Sequence, residues 1–143
     1  MKDHCRDYAT AAFRFYAKVG GQKRYIRDLL GDIQKQKGFG TINPTEGAMI
    51  TQERVLEEKA AELADLDAVE RTIHIIEQLE ESRHTLQVLE FVYFKDAHRE
   101  LKKGEIENRV HYAELHIPAS RRQIFYWLGK ARKIFTNERG LRA

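Results

Sequence analysis

Seven side chains near the C-terminus form the most chemically suggestive arrangement in the chain: Arg121, Arg122, Gln123, Tyr126, Lys130, Arg132 and Lys133. At about 100° per helical residue, Arg122, Tyr126, Lys130 and Lys133 share one face, with Gln123 at its flank and Gly129 keeping part of it low. Arg121 lies nearer the opposite edge, but in the first turn, where a long side chain can swing outward. Ile124, Leu128, Ala131 and Phe135 fall on the other face. An arginine fork can pair with guanine through two hydrogen bonds and a glutamine amide with adenine, each good pair discriminating by about 1–3 kcal/mol. Lys130, Arg132 and Lys133 suit phosphates, which fix orientation without reading sequence. An apolar back and such a front fit the DNA major groove. They also fit a solvated basic helix, and patterns of this kind are loosely defined. Trp127, on the border, is expected to be core or a lid between helices, because tryptophan usually buries most of its area.

The elements that must position this helix can be read just upstream. Ile106, Val110 and Ala113 stand at i, i+4 and i+7, which predicts a short helix ending near Leu115. Pro118 forbids its continuation, because proline has no amide donor and pushes the preceding residue out of the helical region. Ser120 caps the next helix, and Gln123 three residues later completes an S-x-x-Q capping box. Before the pair, Ser82 is placed to cap a helix with Leu86, Leu89 or Val88, Val92 and Tyr93 on its apolar face. The charged connection RELKKGEIENR, residues 99–109, follows it.

Further upstream, Tyr8, Ala12, Phe15 and Val19 recur at helical spacing before a Gly20-Gly21 stop. A second helix over about 22–36 carries Tyr25, Ile26, Leu29, Leu30 and Ile33. Both are read as packing helices. The segment KGFGTINPTEG, 37–47, gathers glycines, a proline and Asn43, and is read as a loop or hinge. From Thr51 to Glu81 one long helix is predicted, with Leu56, Ala60, Leu63, Leu66, Val69, Ile73, Ile76 and Leu79 as its seam. That seam can pack on the chain's own N-terminal helices or on a second copy as a short coiled coil. The expected architecture is therefore all-α. An N-terminal helical pair and loop (1–44) and a long acidic connecting helix (45–81) lead into a C-terminal helix-turn-helix (82–143).

Composition narrows the classes. The chain has 143 residues, 42% apolar and 33% charged, with two prolines and one cysteine, the balance of a soluble helical protein. No apolar run approaches the roughly 18 residues of a membrane span and no apolar stretch follows Met1, so a cytoplasmic, membrane-free protein is expected. Cys5 alone gives no disulfide framework, and with only His4 beside it no metal site is expected. His111, Glu114 and His116 lack zinc-protease spacing, and neighbouring acids such as Glu57-Glu58 and Glu80-Glu81 face different directions. Neither catalysis nor a cofactor is expected. The net charge of +3 conceals a segregation: Lys and Arg against Asp and Glu number 9 and 4 in 1–44, 5 and 13 in 45–97, and 11 and 5 in 98–143. A basic C-terminal third beside an acidic connector is an electrostatic footprint of nucleic-acid binders, although any single run is also an ordinary solvated face.

The run LEESRHTLQVLEFVYF (79–94), followed by VHYAELHIPASRRQIFYWLGKARKIF (110–135), resembles region 4 of bacterial sigma factors and the phage late-gene transcriptional regulators of the ArpU and RinA type. The shared features are the leucine-rich helix closing on Tyr93-Phe94, the short helix around Ala113, and Lys130-Ala131-Arg132 in the last helix. Pro118 stands where that group usually has a glycine, and the turn from Leu115 to Ser120 is slightly longer. The resemblance implies a helix-turn-helix that contacts promoter double-stranded DNA, with RNA polymerase as a further partner. Residues 1–78 carry no counterpart of a complete sigma factor's core-binding segment. The expected role is a transcriptional regulator or sigma-like accessory factor of phage or prophage origin, with a homodimer through the central helix as a further expectation. Two other classes stay open: a small terminase-type DNA-packaging subunit, and a helical protein-interaction module without nucleic-acid binding.

Overall fold

The computed structural model describes residues 4–36 and 46–141, with side chains given outside 33–36 and 46–50. Every regular element among these residues is helical: α1 (His4–Val19), α2 (Gln22–Gln36), α3 (Glu46–Glu58), α4 (Ala60–Glu77), α5 (Ser82–Leu89), a π-helical turn (Glu90–Phe94), α6 (Glu105–His116) and α7 (Arg121–Arg139). The chain is all-α, as expected, with two central helices, α3 and α4, in place of the single long one expected. None of the described helices is long and apolar enough to cross a membrane. The glycine-rich segment lies outside the described residues apart from Glu46 and Gly47, which already belong to α3, and the side chain of Ile33 also lies outside them.

α1 ends where predicted, at Gly20 and Gly21, whose φ of 81° and 101° only glycine adopts readily. Its buried face differs from the predicted stripe. Ala9, Ala12, Phe13 and Arg14 are buried, whereas Tyr8 is 38% exposed and Phe15 turns aside to meet Tyr25 of α2 edge-on. The cause is that α1 touches α4, the π turn and α7 on one side and α2 on another. The small Ala9 and Ala12 permit the closer approach, and the Tyr8–Phe15 line becomes a flank.

The predicted helix from 51 to 81 begins earlier, at Glu46, and is interrupted at Lys59, whose ψ of 15° leaves the helical basin. It closes at Glu77. Its seam is buried only from Leu66 onward, through Val69 and Ile76; Leu56 and Leu63 are half-buried and Ala60 is exposed. α4 rests chiefly on α7, with α1 and α5 beside it, so the main cover of the seam is the C-terminal helix. One core cluster takes residues from α1, α4, α5, the π turn, α6 and α7.

Between α5 and α6 the chain makes an irregular turn. Ser82 does not cap α5: Glu81 occupies the cap position with no side-chain bond to the helix, and the Ser82 amide bonds the Leu79 carbonyl. At its other end α5 widens into the π turn, where the Lys95 amide reaches back to Glu90. Carbonyls at the end of this turn and just beyond it are taken by two buried arginines. Arg14 donates to the carbonyls of Tyr93 (2.9 Å), Asp96 (2.9 Å) and Arg99. Arg109 donates to those of Val92 (3.1 Å) and Lys95 (2.6 Å). Burial, and then the nearby Arg109, pull the Arg14 pKa below its ordinary value, and Glu105 opposes them.

Glu105 sits in the first turn of α6, where a carboxylate also complements the helix dipole. It accepts two bonds from Arg99 (2.8 and 2.9 Å), one from the Lys102 amide (3.2 Å) and one from Arg109 (2.9 Å). The Arg99 bonds, then the amide, then Arg109 hold its pKa down to about 2, from an ordinary 4.5, against partial desolvation. A folded-state pKa below the unfolded one means that the carboxylate stabilises the fold fully above about pH 4.5 and loses that contribution as the pH falls toward 2. Urea denaturation at successive pH values should therefore show wild type losing more stability across this window than Glu105→Gln; parallel curves would contradict the role given to this carboxylate.

Candidate nucleic-acid interface

α6 ends at His116, and Ile117 leaves the helix with φ −115° and ψ 132°, as the residue before Pro118 must. Ile117 is itself buried and anchors the turn in the core. Ser120 takes the extended conformation of a cap (φ −73°, ψ 160°), and its hydroxyl accepts from the Gln123 amide at 3.1 Å. That bond is the serine half of the predicted capping box. α7 then runs nineteen residues to Gly140, whose φ of 78° allows the Leu141 amide to reach back to the Thr136 carbonyl.

The back of α7 is the predicted one: Ile124, Leu128, Ala131 and Phe135 are each at most 1% exposed. Trp127 joins them, 4% exposed, as a lid over the corner between α4 and α5. Its indole donates to Glu81 at 2.7 Å, and its ring stacks on His84 with centroids 5.4 Å apart. At the far end Arg139 donates to Asp65 of α4 at 2.7 Å, and the same carboxylate accepts from the Tyr8 hydroxyl at 2.6 Å. These contacts from α1 and α4 fix the rotation of α7 about its own axis.

That rotation decides which side chains face outward. Arg122 and Lys133 are exposed, Tyr126 is 56% exposed, and Gln123 and Lys130 are half-exposed. They make an open band along several turns of the helix. Two of the seven residues are engaged elsewhere. Arg121 lies 3.5 Å from Glu107 of α6 and its guanidinium stands over the Phe125 ring, so it is drawn toward the turn. Arg132 turns inward, is half-buried, and donates to the Tyr93 hydroxyl at 2.8 Å. The structure thus brings five of the seven onto one solvent-facing band and ties two back to neighbouring helices.

Reading the sequence missed Arg6, which the fold brings from the first turn of α1 to the second half of α7, beside Arg132 and Lys133. No local pattern signals that approach, because it depends on how α1 packs across the domain. The chemistry of the whole band is hydrogen-bond donation and positive charge, with one exposed phenol.

The two faces of α7 should respond differently to truncation. Leu128→Ala is expected to destabilise the fold by about 2–5 kcal/mol, the cost of an internal cavity. Tyr126→Ala should stay within about 0.5 kcal/mol, as exposed substitutions do. Urea denaturation followed by circular dichroism measures both, and equal effects would contradict the assignment of faces. Compared with family models, curated proteins and solved structures, the chain gives no match.

Proposed function

We propose that this chain is a sequence-specific, double-stranded-DNA-binding transcriptional regulator or sigma-like accessory factor of phage or prophage type. The observation that carries the reading is the open band on α7. Arg122, Gln123, Tyr126, Lys130 and Lys133 face solvent on a helix whose back is locked into the core and whose start follows a sharp capped turn. A rigidly held helix with an exposed first turn can enter a major groove without rearrangement of the fold. Arg122 and Gln123, at the tip, are suited to base edges. Lys130 and Lys133 suit phosphates. Arg121 joins the reading surface by exchanging its partly exposed ion pair with Glu107, a contact of small energy in water.

The test is fluorescence anisotropy with labelled duplexes selected from a random pool, at several salt concentrations. Wild type should bind with a steep loss of affinity as salt rises, since each phosphate contact adds about 0.9 to the logarithmic slope. The double change Arg121→Ala and Arg122→Ala should leave the helical circular-dichroism signal intact and weaken binding to the preferred site about tenfold or more, the equivalent of one lost base contact. Unchanged affinity would remove both residues from the reading surface.

A second copy of the chain is the partner that the central helices favour. Val55 and Leu56 of α3 and Leu63 of α4 are half-covered, and the exposed positions beside them are rich in glutamate. A homodimer through this seam should give a sedimentation-equilibrium mass twice that of the chain, reduced to the monomer by Leu56→Asp with Leu63→Asp. A wild-type monomer at every concentration would rule it out. Contact with RNA polymerase rests on the sigma-like resemblance alone.

A further inference from the structure

Between the first turn of α1 and the second half of α7 lies a cleft of about 310 Å³. Arg6 from α1 and Arg132 and Lys133 from α7 line it, together with Asn137 and the bare backbone of Gly129; no carboxylate lines it among the described residues, and the Asp7 carboxylate lies 3.9 Å from the Arg6 Nε as an exposed, exchangeable pair. The adjoining cleft on the α6 side receives Arg6, Arg132 and Lys102, but there Asp7 and Glu107 offset two of the three positive charges. The larger excess of positive charge therefore lies on the side of Lys133. That side continues onto the open band of α7 through Lys133.

Arg132 is held rather than free to swing. Its guanidinium donates to the Tyr93 hydroxyl at 2.8 Å, and its Nη2 lies 3.6 Å from where a side chain at position 129 would begin. A neutral hydroxyl leaves the guanidinium's charge intact, and a fork carries donors beyond the one so used. Gly129 leaves that guanidinium uncovered. Three cations from two helices, one of them fixed in place, are suited to the tetrahedral oxygens of a phosphate group.

We propose that this cleft seats one backbone phosphate of the duplex that α7 enters, making α1 part of the nucleic-acid interface; the proposal rests on the DNA-binding reading above. The geometry of the helix places the phosphate there. Arg122 and Lys133 are eleven residues apart, about 16 Å along the axis at 1.5 Å per residue. The major groove is only about 12 Å wide and 8.5 Å deep. When the first turn of α7 meets base edges, the turn bearing Lys133 has passed the groove wall and lies against the sugar-phosphate strand. Arg6 then approaches the same strand from the flank, and Arg132 closes the seat from behind.

The experiment compares wild type, Arg6→Gln and Arg6→Lys as full chains, by anisotropy against a preferred and a random duplex over a range of salt. Arg6→Gln should weaken both duplexes by the same factor, leave their ratio unchanged, and flatten the logarithmic salt slope by about 0.9, the mark of one lost phosphate contact. Arg6→Lys should restore the slope. Thermal unfolding midpoints equal to wild type confirm that the variants are folded. A wild-type slope in Arg6→Gln, while wild type itself binds DNA, overturns the cleft and leaves the DNA reading standing. Absence of salt-dependent binding by wild type to any duplex overturns that reading instead, and with it the duplex as the source of phosphate. Titration with inorganic phosphate alone, followed by the amide resonances of Gly129 and Lys133, separates a free ligand from a strand: saturation at submillimolar phosphate would overturn the assignment to backbone.

Discussion

Everything that orients the helix-turn-helix depends on how the backbone between α5 and α6 disposes of its carbonyls. A buried carbonyl without a donor costs about 1–3 kcal/mol, and here those of Val92 and Tyr93 are buried and those of Lys95, Asp96 and Arg99 partly so. Arg14 and Arg109 meet that demand together, one reaching in from the first helix and the other from α6. Two guanidiniums so close repel each other, and Glu105, bonded to Arg109 and Arg99, offsets the repulsion. The result is a knot of main-chain and side-chain bonds that joins the N-terminal helix to the start of the helix-turn-helix. The direction of α6, and through the Pro118 turn that of α7, follows from it.

The aromatic packing around the same turn completes the constraint. The π turn directs Tyr93 into the core, 2% exposed, where its ring stacks on Phe13 at 5.6 Å and its hydroxyl receives Arg132. Phe94 meets Phe13 and Tyr16. A regular α-helical register at these positions would swing the two rings around the helix by part of a turn. π turns inserted in α-helices recur where a side chain must be re-aimed; here the re-aimed ring joins α1 to α7.

What the sequence disclosed about this fold was the part decided locally. The back of α7, its serine cap, the break at Pro118 and the stop at Gly20-Gly21 all follow from periodicity and from backbone rules acting over a few residues. The buried face of α1 differs from the predicted one because Tyr8–Ala12 and Ala9–Phe13 are both i, i+4 pairs, and only the neighbours of α1 choose between them. Ser82 had the type and position of a cap, yet the turn before it provides other partners. Nothing in the string RFY around Arg14 discloses that its charge is spent on carbonyls some eighty residues away. The candidate interface divides in the same manner. Arg122, Tyr126 and Lys133 follow from the helical wheel, whereas the inward turn of Arg132 depends on Tyr93 and the arrival of Arg6 depends on α1.

Trp127 is the chain's single tryptophan, and its place gives the molecule an optical reporter of its own. The indole sits at the border between the open band and the buried back, 4% exposed, stacked on the His84 imidazole and tethered to Glu81. Its emission therefore registers the seating of α7 against the corner of α4 and α5, and its burial keeps anything docked on the open band from stacking on it directly. A ligand that changes that emission has shifted either α7 or the partners that hold the indole, Glu81 and His84.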